Sequence, residues 1–151
     1  MSDAKGIAEV LKSSYNIKTI NEGVQVFKSE VKKNHNFIVA VNNDKIIGLA
    51  SWHMQGLPKH QLAELDRIAL LPEYRGKGIS KKIFYFVLNN MKKKYKKDKS
   101  RIRKIYLLTH ASNKRAQKFY EKLGMKHEAT LKNHYYENED EYVYSIFMKR
   151  G

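Results

Sequence analysis

Between Leu62 and Tyr95 the chain changes from a dense apolar run to a helical stripe across one six-residue turn, Arg75-Gly76-Lys77-Gly78-Ile79-Ser80. An apolar run (Leu65 to Leu71) and a Pro72-Glu73-Tyr74 turn precede it, and an amphipathic segment opens at Ile79. Strand, glycine turn and helix start together make a place for an anion. The first N–H groups of a helix have no internal partner, and the helix dipole favours negative charge there. Glycine permits positive φ and a close backbone approach. Arg75 and Lys77 add charge. The spacing is not a Walker A loop, and Lys81 stands where a dinucleotide fingerprint needs its third glycine.

With 151 residues and 42% hydrophobic content, the chain fits one domain, residues 1–151, around one core. No apolar run is long enough for a membrane span, and the N-terminus lacks the apolar segment of a signal peptide. Cysteine is absent. That excludes disulfides, thiolate metal sites and a cysteine nucleophile, and it fits a cytoplasmic location. The histidines show no metal-ligand spacing along the chain, so no metal is expected. Net charge is +15, and nine of the fourteen residues from Met91 to Lys104 are Lys or Arg. This segment is either a solvated helix end or a weak nucleic-acid or ribosome contact, centred on Lys92–Lys104.

Periodicity predicts helices over Asp3–Ser14, with Ile7, Val10 and Leu11 inward, and over Ile20–Lys33, with Val24, Phe27 and Val31 on one face. Phe37–Val41 and Lys45–Met54 read as a hairpin across Asn42-Asn43-Asp44. A third strand covers Leu62–Leu71. The central helix covers Ile79–Tyr95, with a stripe of Ile79, Ile83, Phe86, Val87 and Met91. Ile105–Thr109 reads as a buried strand parallel to a neighbour. A last helix starts at Ser112-Asn113 and buries Ala116, Phe119, Tyr120 and Leu123. Met125–Leu131 and Tyr142–Lys149 read as closing strands, with Asn133–Glu141 as a loop. The fold class is mixed α/β.

Two motifs in this order resemble the GNAT superfamily of N-acetyltransferases. Arg75 and Gly78 match its Arg/Gln-x-x-Gly-x-Gly/Ala acetyl-CoA loop, with Ser80 in place of Gly or Ala. Asn113-Lys114-Arg115-Ala116-Gln117-Lys118-Phe119-Tyr120-Glu121-Lys122-Leu123-Gly124-Met125 resembles Asn-x-x-Ala-x-x-Phe-Tyr-x-Lys-x-Gly-Phe, with Met125 last. The resemblance spans roughly Phe37 to Lys149. It implies a mostly antiparallel twisted sheet flanked by helices. The sheet splays between the family's fourth and fifth strands, here Leu62–Leu71 and Ile105–Thr109. The strand that usually precedes the family's first helix has no counterpart in this pattern.

The resemblance also implies roles. Acetyl-CoA would be the co-substrate, its pantetheine arm held by the backbone at Ile68, Ala69 and Leu70. Its pyrophosphate would rest on Arg75, Gly76, Lys77, Gly78, Ile79 and Ser80, and Asn113 would contact the arm. Tyr120 would protonate the departing thiolate. From the residues alone, Tyr120 reads as a core tyrosine and Asn113 as a helix cap that can also be a ligand. Glu64 and Asp66 alternate along one strand and share a face; either suits a base for an ammonium proton, or both line a solvated face. The family's polar residue five positions before the asparagine is Leu108 here, and no role carries over to His110. Direct attack by the amine in a ternary complex needs no covalent intermediate, which fits a cysteine-free chain.

Asn133-His134-Tyr135-Tyr136-Glu137-Asn138-Glu139-Asp140-Glu141 is similar to the Tyr-Tyr-x-x-Gly-Glu-Asp-Ala segment of protein N-terminal acetyltransferases, the ribosomal-protein type included. Tyr135 and Tyr136 would then hold a peptide's first residues. The first expectation is a protein or peptide N-terminus or lysine as acceptor. Glu64-Leu65-Asp66-Arg67-Ile68 also resembles the matching strand of some polyamine acetyltransferases, which makes a small polyamine the alternative. A non-catalytic CoA-binding or RNA-associated module is a further one. Monomer and dimer are both compatible with the sequence.

Overall fold

The computed structural model describes residues 2–150. Its described elements are α1 (Ser2–Ser14), α2 (Ile20–Lys32), β1 (Asn36–Asn42), β2 (Lys45–Met54), β3 (Leu62–Leu70), α3 (Ile79–Lys97), β4 (Lys104–His110), α4 (Lys114–Lys122), β5 (Lys126–Tyr136) and β6 (Glu139–Phe147). The strands form a six-stranded mixed sheet in the order β1-β2-β3-β4-β6-β5. Antiparallel ladders join β1 to β2, β4 to β6 and β5 to β6. A parallel ladder joins Leu62–Glu64 of β3 to Lys104–Tyr106 of β4. As the helical pattern at the N-terminus predicts, the first described element is a helix. Within the chain two compact units are distinguishable, Met1–His53 with Leu65–Met91 and Met54–Glu64 with Lys92–Gly151.

In the first unit, α1 buries Ile7, Val10 and Leu11 against Ile46 and Leu49 of β2 and Ala69 of β3. Helices α1 and α2 pack closely because Gly23 is buried: a Cβ there would lie 2.9 Å from the Ala8 methyl. Thr19 caps α2 by accepting from the Glu22 N–H at 3.0 Å, and Glu22 reaches back to the Lys18 N–H. Val31, expected on the buried face of α2, is 47% exposed. The inward row passes instead through Gly23, Phe27 and Glu30, because an ion pair of Glu30 holds the helix end.

The stripe of α3 also differs from expectation. Phe86 is 64% exposed, while Phe84 is buried with Ile83, Val87, Met91 and Tyr95. At about 100° per residue, Phe84 projects within about 20° of Met91, whereas Phe86 projects about 140° away. The two phenylalanines look equivalent from Ile83 and Val87; Met91 and Tyr95 separate them. In the same unit the Trp52 indole donates to Asn90 Oδ1 at 2.9 Å, which fixes β2 to α3.

In the second unit, the buried face of β4 is Ile105, Leu107 and Thr109. Helix α4 covers this face: the Tyr120 and Tyr144 rings lie 6.2 Å apart, and the Tyr144 hydroxyl donates to Glu121 at 3.0 Å. Burial, together with the Glu121 carboxylate, raises the pKa of Tyr144. Tyr95, in the last turns of α3, donates its hydroxyl to the Leu62 carbonyl at the start of β3. The expected loop Asn133–Glu141 is largely strand. β5 runs to Tyr136, β6 starts at Glu139, and Asn138 takes a φ of 66° between them. The second half of β5, beyond the expected strand Met125–Leu131, is exposed, so no apolar alternation marks it in the sequence. The acids and amides that read as loop chemistry brace the hairpin: Asp140 accepts from the Asn133 N–H at 3.0 Å and from Lys132 at 3.1 Å, and Asn133 accepts from the Asn138 N–H at 3.1 Å.

Two substitutions test this packing. Gly48→Ala would place its Cβ 2.9 Å from the Ala69 carbonyl oxygen, on backbone that cannot retreat, and 2.6 Å from the flexible end of Leu70. We expect it to destabilise by about 1–3 kcal/mol in urea denaturation. Tyr95→Phe removes the donor to Leu62 and should cost about 1–2 kcal/mol near neutral pH. Burial pushes the Tyr95 phenol from 10.0 up to about 12. A raised folded-state value gives stability that is complete below the unfolded value and lost as pH rises through the folded one. The wild type should therefore lose stability between pH 10 and 12 more steeply than Tyr95→Phe, as read from melting temperatures across that window.

Candidate functional site

In the first unit, β3 ends at Leu70, a 3₁₀ turn covers Pro72–Tyr74, and α3 opens at Ile79. Gly76 and Gly78 take φ of 78° and 77°, so the turn between them uses the left-handed region that glycine tolerates. A Cβ at either would meet nothing within 4 Å, so the space over the turn is open. Arg75 turns back. Its Nε donates to the Leu70 carbonyl at 3.1 Å and its Nη2 to Ser14 at 3.2 Å. The guanidinium thus ties the turn to the ends of β3 and α1. Lys77 lies over the Tyr74 ring at 5.9 Å. Ala69 and Leu70 are buried, and Ile68, Ile79 and Ser80 are half-buried. Arg75 to Ser80 are therefore arranged as an exposed turn on a helix N-terminus, the form an anion site takes.

Burial alternates along β3 only as far as Asp66. Two consecutive side chains, Asp66 and Arg67, then reach one group of neighbours. Asp66 Oδ2 lies 2.8 Å from His53 Nδ1 and 3.2 Å from His35 Nδ1. Arg67 forks onto Glu30, with Nε 3.1 Å from Oε1 and Nη2 2.9 Å from Oε2, and its guanidinium lies 4.5 Å from the centre of the Tyr15 ring. Burial raises the Tyr15 pKa and works against the Arg67 charge, but the bond and charge of Glu30 leave Arg67 raised overall. Spacing along the chain does not reveal the grouping of His35, His53 and Asp66, because 31 residues and three elements separate its members.

In the second unit, the face of β4 opposite α4 carries Lys104, Tyr106, Leu108 and His110. Register puts Glu64 beside Tyr106, and Glu141 beside His110, on this same face. Gln55 donates to the Tyr106 hydroxyl at 2.8 Å. His110 Nδ1 bonds Glu141, whose side chain is 3% exposed, while the His110 side chain is 42% exposed. A buried carboxylate thus orients a histidine whose ring is open to solvent. The Tyr136 ring stands edge-on to it at 5.9 Å. Tyr135 and Tyr136 are both exposed. Glu139 accepts from the Ser112 hydroxyl at 2.7 Å and from its N–H, which holds the carboxyl below the usual range.

Asn113 caps α4, with Oδ1 accepting from the Ala116 N–H at 3.1 Å. Gln117 is buried and donates to the His110 and Ala111 carbonyls, which fixes the strand end under the helix. Tyr120 is buried on the α4 face of β4 and β6, beside Phe119 and Tyr144. Of the sequence-derived residues, the second unit groups Tyr136 with His110 on the face that carries Glu64, and it puts Tyr120 on the other face. Sequence reasoning missed the His110–Glu141 pair because Glu141 reads as a loop residue there. The available signal was alternation: Leu108 and His110 share a face, so a polar group lost at one position stands two residues on.

The model of the Acetyltransferase (GNAT) family matches residues 6–125. An N-alpha-acetyltransferase of Saccharolobus solfataricus is 32% identical over 117 residues, 71% of this chain. The match spans 66% of that relative's length, just under two thirds. Among solved structures, the ribosomal-protein-S18-alanine N-acetyltransferase of Escherichia coli superposes with a TM-score of 0.79 at 18% identity, over 100% of this chain and 91% of its own. A GNAT family acetyltransferase of Elizabethkingia anophelis, solved with acetyl-CoA bound, gives a TM-score of 0.68 at 18% identity, over 82% and 83%. The two structural likenesses establish the fold.

Removing His110 would leave the Glu141 carboxylate buried without its partner. His110→Ala should destabilise by about 1–3 kcal/mol. Adding Glu141→Gln in that background should recover part of the loss. Urea denaturation of the two single variants and the double variant measures the coupling.

Proposed function

Because this chain belongs to the GNAT family of acetyltransferases, an acyltransferase family, we propose that it moves an acetyl group from acetyl-CoA to the primary amine of a protein or peptide, either an N-terminus or a lysine. The observation that carries the acceptor assignment is the exposed Tyr136 set edge-on to His110, itself oriented by the buried Glu141, on the strand face that also carries Glu64. Aromatic side chains beside an oriented imidazole suit an extended peptide. The N-alpha-acetyltransferase relative and the ribosomal-protein-S18-alanine N-acetyltransferase neighbour support the same class of acceptor.

Arg75 to Ser80 would hold the cofactor's pyrophosphate, with Ile68 to Leu70 and Asn113 along its arm. An alkylammonium must lose a proton before it attacks. Glu64 would take that proton, directly or through water. Asp66 is the weaker candidate because His53 already bonds its carboxylate at 2.8 Å. The amine nitrogen then bonds the thioester carbon, the C–S bond breaks, and Tyr120 would give its proton to the departing sulfur. His110 stands four residues along β4 from the partner of Glu64, roughly 13 Å by strand rise. We therefore assign the His110–Glu141 pair to positioning Tyr136 and the acceptor, not to the amine proton.

Titration with acetyl-CoA should show binding, and CoA release should follow with peptides in preference to spermidine. Best turnover on spermidine would replace the peptide reading with a polyamine one, and absence of acetyl-CoA binding would overturn both. Tyr120→Phe should lower kcat by about 100-fold with little change in acetyl-CoA affinity. His110→Ala should mainly raise KM for the peptide. An equal fall in kcat, with KM unchanged, would move His110 into the chemical step.

A further inference from the structure

Apart from the transfer chemistry assigned to Glu64 and Tyr120, the first unit gathers three metal-ligand atoms. We propose that His35, His53 and Asp66 bind a first-row divalent transition metal, with Zn²⁺ as the probe. The three ligand atoms, Nδ1 of both histidines and Oδ2 of Asp66, all lie within 4.8 Å of one another. The two histidine–aspartate separations, 2.8 and 3.2 Å, are close to the edge of a tetrahedron. With metal–ligand bonds of about 2.0–2.1 Å, that edge is roughly 3.4 Å. Little movement is needed to admit the ion.

A second observation points to a cation. His35 Nδ1 is buried and makes no hydrogen bond, although Asp66 Oδ2 is 3.2 Å away. The nitrogen lies off the line that an N–H donor would need. Burying a polar nitrogen without a partner is costly, and a metal bound by its lone pair would remove that cost. The two imidazoles are stacked, 4.4 Å between centres and 11° between planes, so both Nδ1 atoms face one carboxylate oxygen. Proton sharing with Asp66 serves one of them, through His53 at 2.8 Å; a bridging cation serves both.

The surroundings favour positive charge. His35 follows the C-terminal turn of α2, where its own N–H donates to the Glu30 carbonyl at 3.0 Å, and the negative end of a helix dipole lies there. The Glu30 carboxylate is 4.0 Å from His35 Nδ1 but is forked by Arg67, so it remains outside the ligand set. Two imidazoles and one carboxylate leave a fourth position for water, as in zinc sites with three protein ligands. The ligands come from the residue just before β1, the end of β2 and the middle of β3, so a bound ion would join the entry to β1 with two strands.

The test uses the full chain without an affinity tag, stripped with EDTA and titrated with ZnCl₂ by calorimetry. One equivalent should bind, and melting temperature should rise with Zn²⁺. Co²⁺ in its place should give the intense visible absorption of a tetrahedral site. His53→Gln and Asp66→Asn should each weaken the site by more than about 100-fold, since removing a ligand exceeds the loss seen for outer-shell partners. His35→Gln, in the connection just before β1, provides a variant outside the strands, and circular dichroism checks all three. His127→Ala with His134→Ala should leave binding unchanged. No Zn²⁺ binding by the wild type, or equal binding by folded His35→Gln and Asp66→Asn, would overturn the assignment.

Discussion

The fork of Arg67 on Glu30 is the interaction on which the first unit depends. It is charge-assisted, two-pronged and mostly buried, and its guanidinium also covers the Tyr15 ring. One side chain thereby fixes β3, the last turn of α2 and the segment after α1. Such a pair adds less net stability than its geometry suggests, because both charges lose water. Its larger effect is on register. A β3 shifted by one residue would leave a guanidinium and a carboxylate each buried alone. The pair also explains why two consecutive β3 side chains reach the same neighbourhood: once Arg67 is committed to Glu30, Asp66 is turned toward His35 and His53.

The second unit divides its work between two sheet faces. One face of β4 and β6 packs under α4, with Tyr120, Tyr144, Leu107 and Ile105 in the apolar layer. The other carries Glu64, Tyr106, His110 and Glu141, with exposed tyrosines at its rim. Strand alternation alone produces this separation. The proposed thiolate donor stands on the apolar side, where a neutral phenol is comfortable. The proposed proton acceptor stands on the hydrated side, where a carboxylate can hand its proton to water.

Where local pattern decided structure, the sequence was readable. The helices from Ile20, Ile79 and Lys114, the β1–β2 hairpin and the glycine turn at Gly76 and Gly78 follow from periodicity and from residues suited to turns and caps. The motif around Asn113 and Tyr120 carried the family. What the sequence hid was set by long-range partners. Phe84 and Phe86 exchange roles because of Met91 and Tyr95, about two and three turns on from Phe84. Val31 is exposed because Glu30 is pulled inward by Arg67. β5 is an exposed edge with no apolar rhythm, so its tyrosines read as a loop. The His110–Glu141 pair and the His35–His53–Asp66 group join distant segments, and no spacing rule along the chain reaches them.

The open space over Gly76 and Gly78 has a consequence for how the family's loop can vary. No neighbour lies within 4 Å of a Cβ at either position, and the left-handed torsion is what restricts the first atom of a side chain there. Asparagine and aspartate tolerate that torsion, so in the bare protein the loop's identity is a matter of backbone handedness and not of room. Any stricter demand for glycine there must come from what settles onto the turn. The difference between substitutions that the fold accepts and those that cofactor binding accepts would therefore outline the ligand's footprint on the loop.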